Sequence, residues 1–128
     1  MAVAVRGPQV PQKILIVDDN DAARTGLAKI LERADFTVFA AATFIEGRNA
    51  LTREEPDLLI ADVRLGEYNG LQLALLFHAA RPTGPILVVS GHDDPVIRKE
   101  AANIGATFLL KPVDLDQLTD YFSGVDGW

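Results

Sequence analysis

The sequence predicts an α/β fold, a doubly wound parallel sheet of five strands with five helices, on three observations. Short unbroken apolar runs, Ile14–Val17, Leu58–Ala61, Ile86–Val89 and Phe108–Leu110, have the composition of strands buried on both faces of a parallel sheet. Longer amphipathic stretches alternate with these runs five times, and strict alternation with right-handed crossovers gives the strand order 2-1-3-4-5. Each run also ends in a polar residue: Asp18-Asp19, Asp62, Ser90 and Lys111.

The elements follow in order. After the first strand, Leu27, Ile30, Leu31 and Ala34 recur at i, i+3, i+4 and i+7, so one apolar stripe marks a helix from about Asp21 to Ala34. Thr37–Ala40 is the least apolar of the predicted strands. Thr43 and Glu46 have the spacing of a capping box at the next helix start. Beyond the third strand, Gly70 precedes a helix over Leu71–Ala80 that stops before Pro82. Pro95 suits a first helical position, where its missing N–H costs no bond. Asp114 and Gln117 repeat the capping-box spacing for the last helix, in which Leu115, Leu118 and Phe122 share a face.

A length of 128 residues favours one domain, placed at 13–122. Pro8 and Pro11 mark residues 1–12 as a flexible arm, and residues 123–128, ending in Trp128, as a tail or the start of a linker. A net charge of −6 without a Lys/Arg cluster excludes a nucleic-acid-backbone surface. The absence of cysteine excludes disulfides, zinc thiolates and thiol catalysis. No apolar stretch approaches the roughly 20 residues of a membrane span, and the first residues lack the pattern of a secretory signal. A cytoplasmic location is expected.

In the predicted strand order the winding reverses between the first and third strands, and such sheets bind ligands at the carboxyl ends of those strands. Asp18, Asp19 and Asp62 lie there. Three neighbouring carboxylates repel one another, and a divalent cation relieves the repulsion. Magnesium, with manganese as an alternative, prefers oxygen ligands and takes one or two carboxylates beside a phosphate oxygen. Asp19, Asp62 and the backbone carbonyl of Arg64 are the expected direct ligands, with Asp18 acting through water. Lys111 can pair with Asp62 when the site is empty and with a phosphoryl oxygen when it is full. Ser90 offers a hydroxyl to another phosphoryl oxygen. Asp62, between metal and lysine, is the natural nucleophile for an acyl phosphate.

With Ile14–Asp19, Leu58–Asp62 through Gly70, Val88–Ser90 and Leu110-Lys111-Pro112 in place, residues 12–122 resemble the receiver domain of two-component response regulators. This is a flavodoxin/CheY-like superfamily. The resemblance implies Asp62 as phosphoacceptor, Asp18 and Asp19 as the acidic pair, and Ser90 and Lys111 as the phosphoryl-binding pair. It implies a cis Lys111–Pro112 bond and a switch formed by Ser90 and Phe108. A sensor histidine kinase or histidine phosphotransfer protein is the implied donor. The face of the fourth helix, fifth strand and fifth helix would then act on a downstream partner or an output domain. Such a protein is a signalling switch that assists its own phosphorylation and dephosphorylation, not an enzyme with an external substrate.

Four departures from the family pattern stand out. Gly66 replaces a common Pro, which predicts a looser loop after Asp62. Phe108 replaces a commoner Tyr. Arg64 and His92, two residues past Asp62 and Ser90, lie where they modulate phosphate lifetime. Two alternatives compete with the switch. One is a small haloacid-dehalogenase-like phosphatase using the acids of Asp18–Asp21, against which stand the acid spacing and the lack of room for a capping domain. The other is a pseudo-receiver that binds partners independently of phosphorylation.

Overall fold

The computed structural model describes residues 12–124. The expected arm therefore lies outside them except for Gln12, and Trp128 lies outside them entirely. Five strands form one parallel sheet: β1 (Lys13–Val17), β2 (Thr37–Ala41), β3 (Leu58–Asp62), β6 (Ile86–Ser90) and β7 (Thr107–Leu110), in the order β2-β1-β3-β6-β7. Read along the sheet strands alone, this is the predicted order 2-1-3-4-5. Two short strands, β4 (Arg64–Leu65) and β5 (Tyr68–Asn69), pair antiparallel in a separate hairpin. The helices are α1 (Asp21–Arg33), α2 (Phe44–Glu54), α3 (Gly70–Ala80), α4 (Pro95–Asn103) and α5 (Leu115–Ser123).

Alternate residues of the central strands point to opposite sides, and both sides are covered. Leu15, Val17, Leu59, Ala61 and Val88 pack with Ala50 of α2, Leu73 and Phe77 of α3 and Ala101 of α4. Ile14, Ile16, Leu58, Ile60, Leu87 and Val89 pack with Leu31 of α1 and Leu118 of α5. This two-sided burial is why the strands read as unbroken apolar runs. Each fully buried Leu or Ile contributes about 1.5–3 kcal/mol relative to exposure. The edge strands β2 and β7 are only partly buried, which explains the weaker apolar signal of Thr37–Ala40.

Local signals set the helix starts. Asn20 caps α1 by accepting the Ala23 N–H, and Asp94 caps α4, with Pro95 in the first turn. Asp114 and Gln117 form the reciprocal box at α5. At α2 the box is displaced: Thr43 accepts the Glu46 N–H at 3.1 Å, but the Glu46 carboxylate accepts from Ala42 N–H, not from Thr43. The start of α3 carries a full box, Asn69 with Gln72, that the sequence reading passed over. Leu115 departs from the shared apolar face expected of α5: it is 58% exposed, whereas Leu118 is buried, because one residue past the cap it lies on the outer side.

The loop after Asp62 carries an element that the sequence does not announce. It is closed by the β4–β5 hairpin, with Gly66 at φ +63°. A two-residue hairpin loop demands a positive φ at its first position, where Pro is excluded and Gly is unstrained. Leu65 is buried, and Tyr68 stacks on Phe44 of α2 with ring centroids 4.5 Å apart and 12° between planes. Gly66 thus permits the hairpin turn at this point.

Candidate phosphoryl-transfer site

Parallel register brings the strand ends together. Val17 pairs with Ala61, Asp62 with Val89 and Ser90 with Leu110, so the residues that follow β1, β3, β6 and β7 share one edge. Asp18, Asp62 and Ser90 are the buried polar residues among those described, while Asp19 is exposed. Carboxylate oxygens of Asp18, Asp19 and Asp62 lie within 4.8 Å of one another. The donor set is oxygen only, which fits a hard divalent cation of the magnesium class and not a soft metal. Asp21 is tied to Arg24 and stands outside this cluster.

Lys111 closes the site. Its backbone N–H donates to the Ser90 carbonyl at 2.8 Å, which fixes the residue beside the end of β6. Its ammonium lies 2.8 Å from Asp18 and 3.2 Å from Asp62. The expected pairing with Asp62 is therefore shared, and Asp18 holds the shorter contact. Burial works against the Lys111 charge, but the hydrogen bond to Asp18 and the charges of both carboxylates outweigh it and raise its pKa. Burial likewise pushes the Asp62 carboxyl above the ordinary value of 3.8, reinforced by the Asp18 charge. Lys111 and the Arg64 backbone N–H, which donates to Asp62, act in the opposite direction. The result is a carboxylate more basic than usual, held against a cation.

The remaining predicted residues lie around this centre. The Ser90 hydroxyl donates to the His92 carbonyl at 3.0 Å and accepts the His92 N–H at 3.1 Å, so it is engaged with its own loop. The Arg64 and His92 side chains are exposed and line a crevice of about 270 Å³ with Asn69, Ser90 and Ile97. The Lys111–Pro112 bond is cis. Phe108 sits half-buried on β7 beneath Arg98 of α4, whose guanidinium carbon is 4.4 Å from the ring centroid. Arg98 also pairs with Asp93.

Two features of the site escaped the sequence reading. An ideal Cβ on Gly70 would lie 1.9 Å from the Asp62 carbonyl oxygen, so α3 begins in contact with the acceptor's own backbone. Gly70 stands eight residues after Asp62, where a side chain would collide with the acceptor's carbonyl. The second is Arg24, whose guanidinium donates to the Asp18 carbonyl. Its spacing from Asp21 was the available signal.

A family model described as the response regulator receiver domain matches residues 14–123. The chain belongs to the response-regulator receiver family. The receiver is 31% identical over 110 residues to the photosynthetic apparatus regulatory protein RegA of Rhodobacter capsulatus, covering 85% of this chain and 60% of that protein. It is 33% identical to the transcriptional regulatory protein GlrR of Escherichia coli, covering 84% of this chain but 24% of the relative. These curated relatives are thus longer than the region matched. Among solved structures, a CheY-like receiver domain protein from Methanospirillum hungatei superposes with a TM-score of 0.83 at 30% identity, covering 89% of this chain and 92% of that one. A response regulator from Burkholderia pseudomallei, solved with a phosphorylated aspartic acid, calcium ion and citrate, gives a TM-score of 0.78 at 28% identity, covering 84% and 64%. Among the described residues, no helix is long and apolar enough to cross a membrane.

Proposed function

We propose that this receiver accepts a phosphoryl group on Asp62 from a phosphohistidine of a sensor kinase or phosphotransfer protein, with magnesium bound at Asp19, Asp62 and the Arg64 carbonyl. The observation that carries the reading is Lys111 held between Asp18 and Asp62 beside a three-carboxylate cluster. An Asp62 oxygen attacks phosphorus, the P–N bond breaks, and the imidazole leaves with the bond pair and takes up a proton. The bound cation supplies charge neutralisation on the transferring group. Lys111 is within reach of the same oxygens, and Ser90 can exchange its bonds to His92 for one to the phosphoryl group. Arg64 and His92 flank the water path to the acyl phosphate and set its lifetime.

The phosphorylated aspartic acid and calcium ion of the Burkholderia protein support this chemistry by analogy. Movement of Ser90 and Phe108 then alters the face formed by α4, β7 and α5, which a downstream protein or an output domain reads, in the cytoplasm. Moving such a switch from 1:99 to 99:1 takes about 5.5 kcal/mol of preference. Beryllofluoride with magnesium, a mimic of the acyl phosphate, tests the reading by NMR. Amide shifts concentrated around Ser90, Phe108 and Lys111, absent in Asp62→Asn, are expected. Unchanged spectra for the wild-type protein overturn it and favour a receiver that works without phosphorylation.

A further inference from the structure

The acids of the site are not held equally. Asp18 is fixed on several sides: its N–H donates to the Ala41 carbonyl at 3.1 Å, one carboxylate oxygen accepts the Asn20 N–H at 2.9 Å, and the other meets Lys111. Asp19 is the exposed member, and its direction depends on the backbone that carries it. That backbone is gripped by Arg24. One guanidinium nitrogen donates to the Asp18 carbonyl at 2.8 Å, and the other meets the Asp21 carboxylate at 2.5 Å. The Arg24 side chain is only 18% exposed, so its position is set by its packing as well as its bonds.

The Asp18 carbonyl belongs to the peptide unit that joins Asp18 to Asp19. Because that unit is planar, holding its oxygen restrains the orientation of the plane and with it the Asp19 nitrogen and Cα from which the side chain departs. The planar fork of arginine can hold a carbonyl and a carboxylate at once, which a lysine ammonium on a flexible stem does far less well. Asp21 anchors the outer end of the fork, and Asn20, the cap of α1, lies between its two acceptors.

We propose that Arg24 is a positioning residue for the cation site, orienting Asp19 through the Asp18–Asp19 peptide without touching the metal itself. The inference rests on the magnesium reading above, and it makes a claim with a definite sign. If Arg24 acted only as a nearby positive charge it would repel a divalent cation, and its removal would tighten magnesium binding. As an orienting group, its removal loosens the ligand and weakens binding.

Calorimetric titration with magnesium chloride alone, on the full chain, separates these outcomes. Arg24→Ala is expected to weaken magnesium binding at least fivefold, and Arg24→Lys to recover less than half of that loss. Asp21→Asn, which frees only the outer end of the fork, is expected to weaken binding less than twofold. Thermal unfolding of each variant in chelator verifies that the folded fraction titrated is the same, and Arg24→Gln serves if the alanine variant does not fold. Unchanged or tighter binding in the Arg24 variants, beside a wild-type protein that binds magnesium, overturns the positioning role alone. A wild-type protein that binds no magnesium overturns the metal reading and this inference with it.

Discussion

Replacing the phosphoacceptor by its neutral isostere should make the domain more stable. In the absence of metal, Asp62 is a buried charge facing Asp18 at no more than 4.8 Å and Lys111 at 3.2 Å. At an effective dielectric of about 20, the repulsion is about 3.5 kcal/mol and the attraction about 5 kcal/mol. These largely offset one another, and exposed Asp19 is screened by water. What remains is the cost of taking the carboxylate out of water, several kcal/mol for a buried ion and the leading reason its pKa is raised. Asp62→Asn removes that cost, keeps the side-chain shape and still accepts from Lys111 and the Arg64 N–H. A net gain of about 1–2 kcal/mol is expected near neutral pH in chelator.

The sign of the pH dependence follows. The folded carboxyl titrates above its unfolded value of 3.8, so the folded state binds more protons between the two. Asp62 therefore costs stability increasingly as pH rises through its folded pKa, and nothing below 3.8. The advantage of Asp62→Asn should shrink as pH falls toward 4. Magnesium, by binding the folded wild-type protein, should also narrow the gap. Urea denaturation at several pH values, with chelator and with magnesium, measures all three. An asparagine variant less stable than wild type at pH 7.5 in chelator would refute the reasoning.

Three further outcomes are expected. Gly70→Ala places a methyl group against the Asp62 carbonyl, which forces the acceptor strand or α3 to shift; a loss of more than about 3 kcal/mol in denaturation and of beryllofluoride binding should follow. Arg98→Ala removes the cation over Phe108, worth about 0.5–1 kcal/mol at a partly exposed site, and should tighten beryllofluoride binding about two- to fivefold if the contact holds the ring in its present place. Burial pushes the Tyr121 phenol up to about 12, so it should ionise late in an absorbance titration. The folded state then holds a proton that the unfolded chain has lost, and stability should fall as pH rises from about 10 toward 12.

The sheet and the acid edge were legible because both depend on patterns the sequence states outright. Runs such as Leu58–Ala61 have no polar alternation, and that happens when both faces of a strand are covered. Once the strand order is known, Asp18, Asp62, Ser90 and Lys111 have one edge in common. The hairpin after Asp62 was not legible: two-residue strands leave no periodicity, and Gly66 says little until its positive φ is seen. Arg24 was hidden for a different reason, since one of its acceptors is a backbone carbonyl and carries no side-chain signature. Leu115 misled because a helix's first residue lies at its frayed end, where periodicity need not place it over the core. The contact of Arg98 with Phe108 joins α4 to β7, and no spacing within either element announces it.

The close seat of Gly70 has a mechanical consequence. On one side of Asp62 the chain is stiff: the Gly70 N–H donates to the Val63 carbonyl at 2.7 Å, the hairpin is pinned by Tyr68 on Phe44, and α3 begins in contact with the acceptor's backbone. On the other side the Ser90 carbonyl is held by the Lys111 N–H, and the Ser90 hydroxyl donates to the His92 carbonyl, a bond that a new acceptor could take over. A phosphoryl group on Asp62 would thus have a backbone wall at Gly70 on one side and, on the other, a hydroxyl bond that can be exchanged.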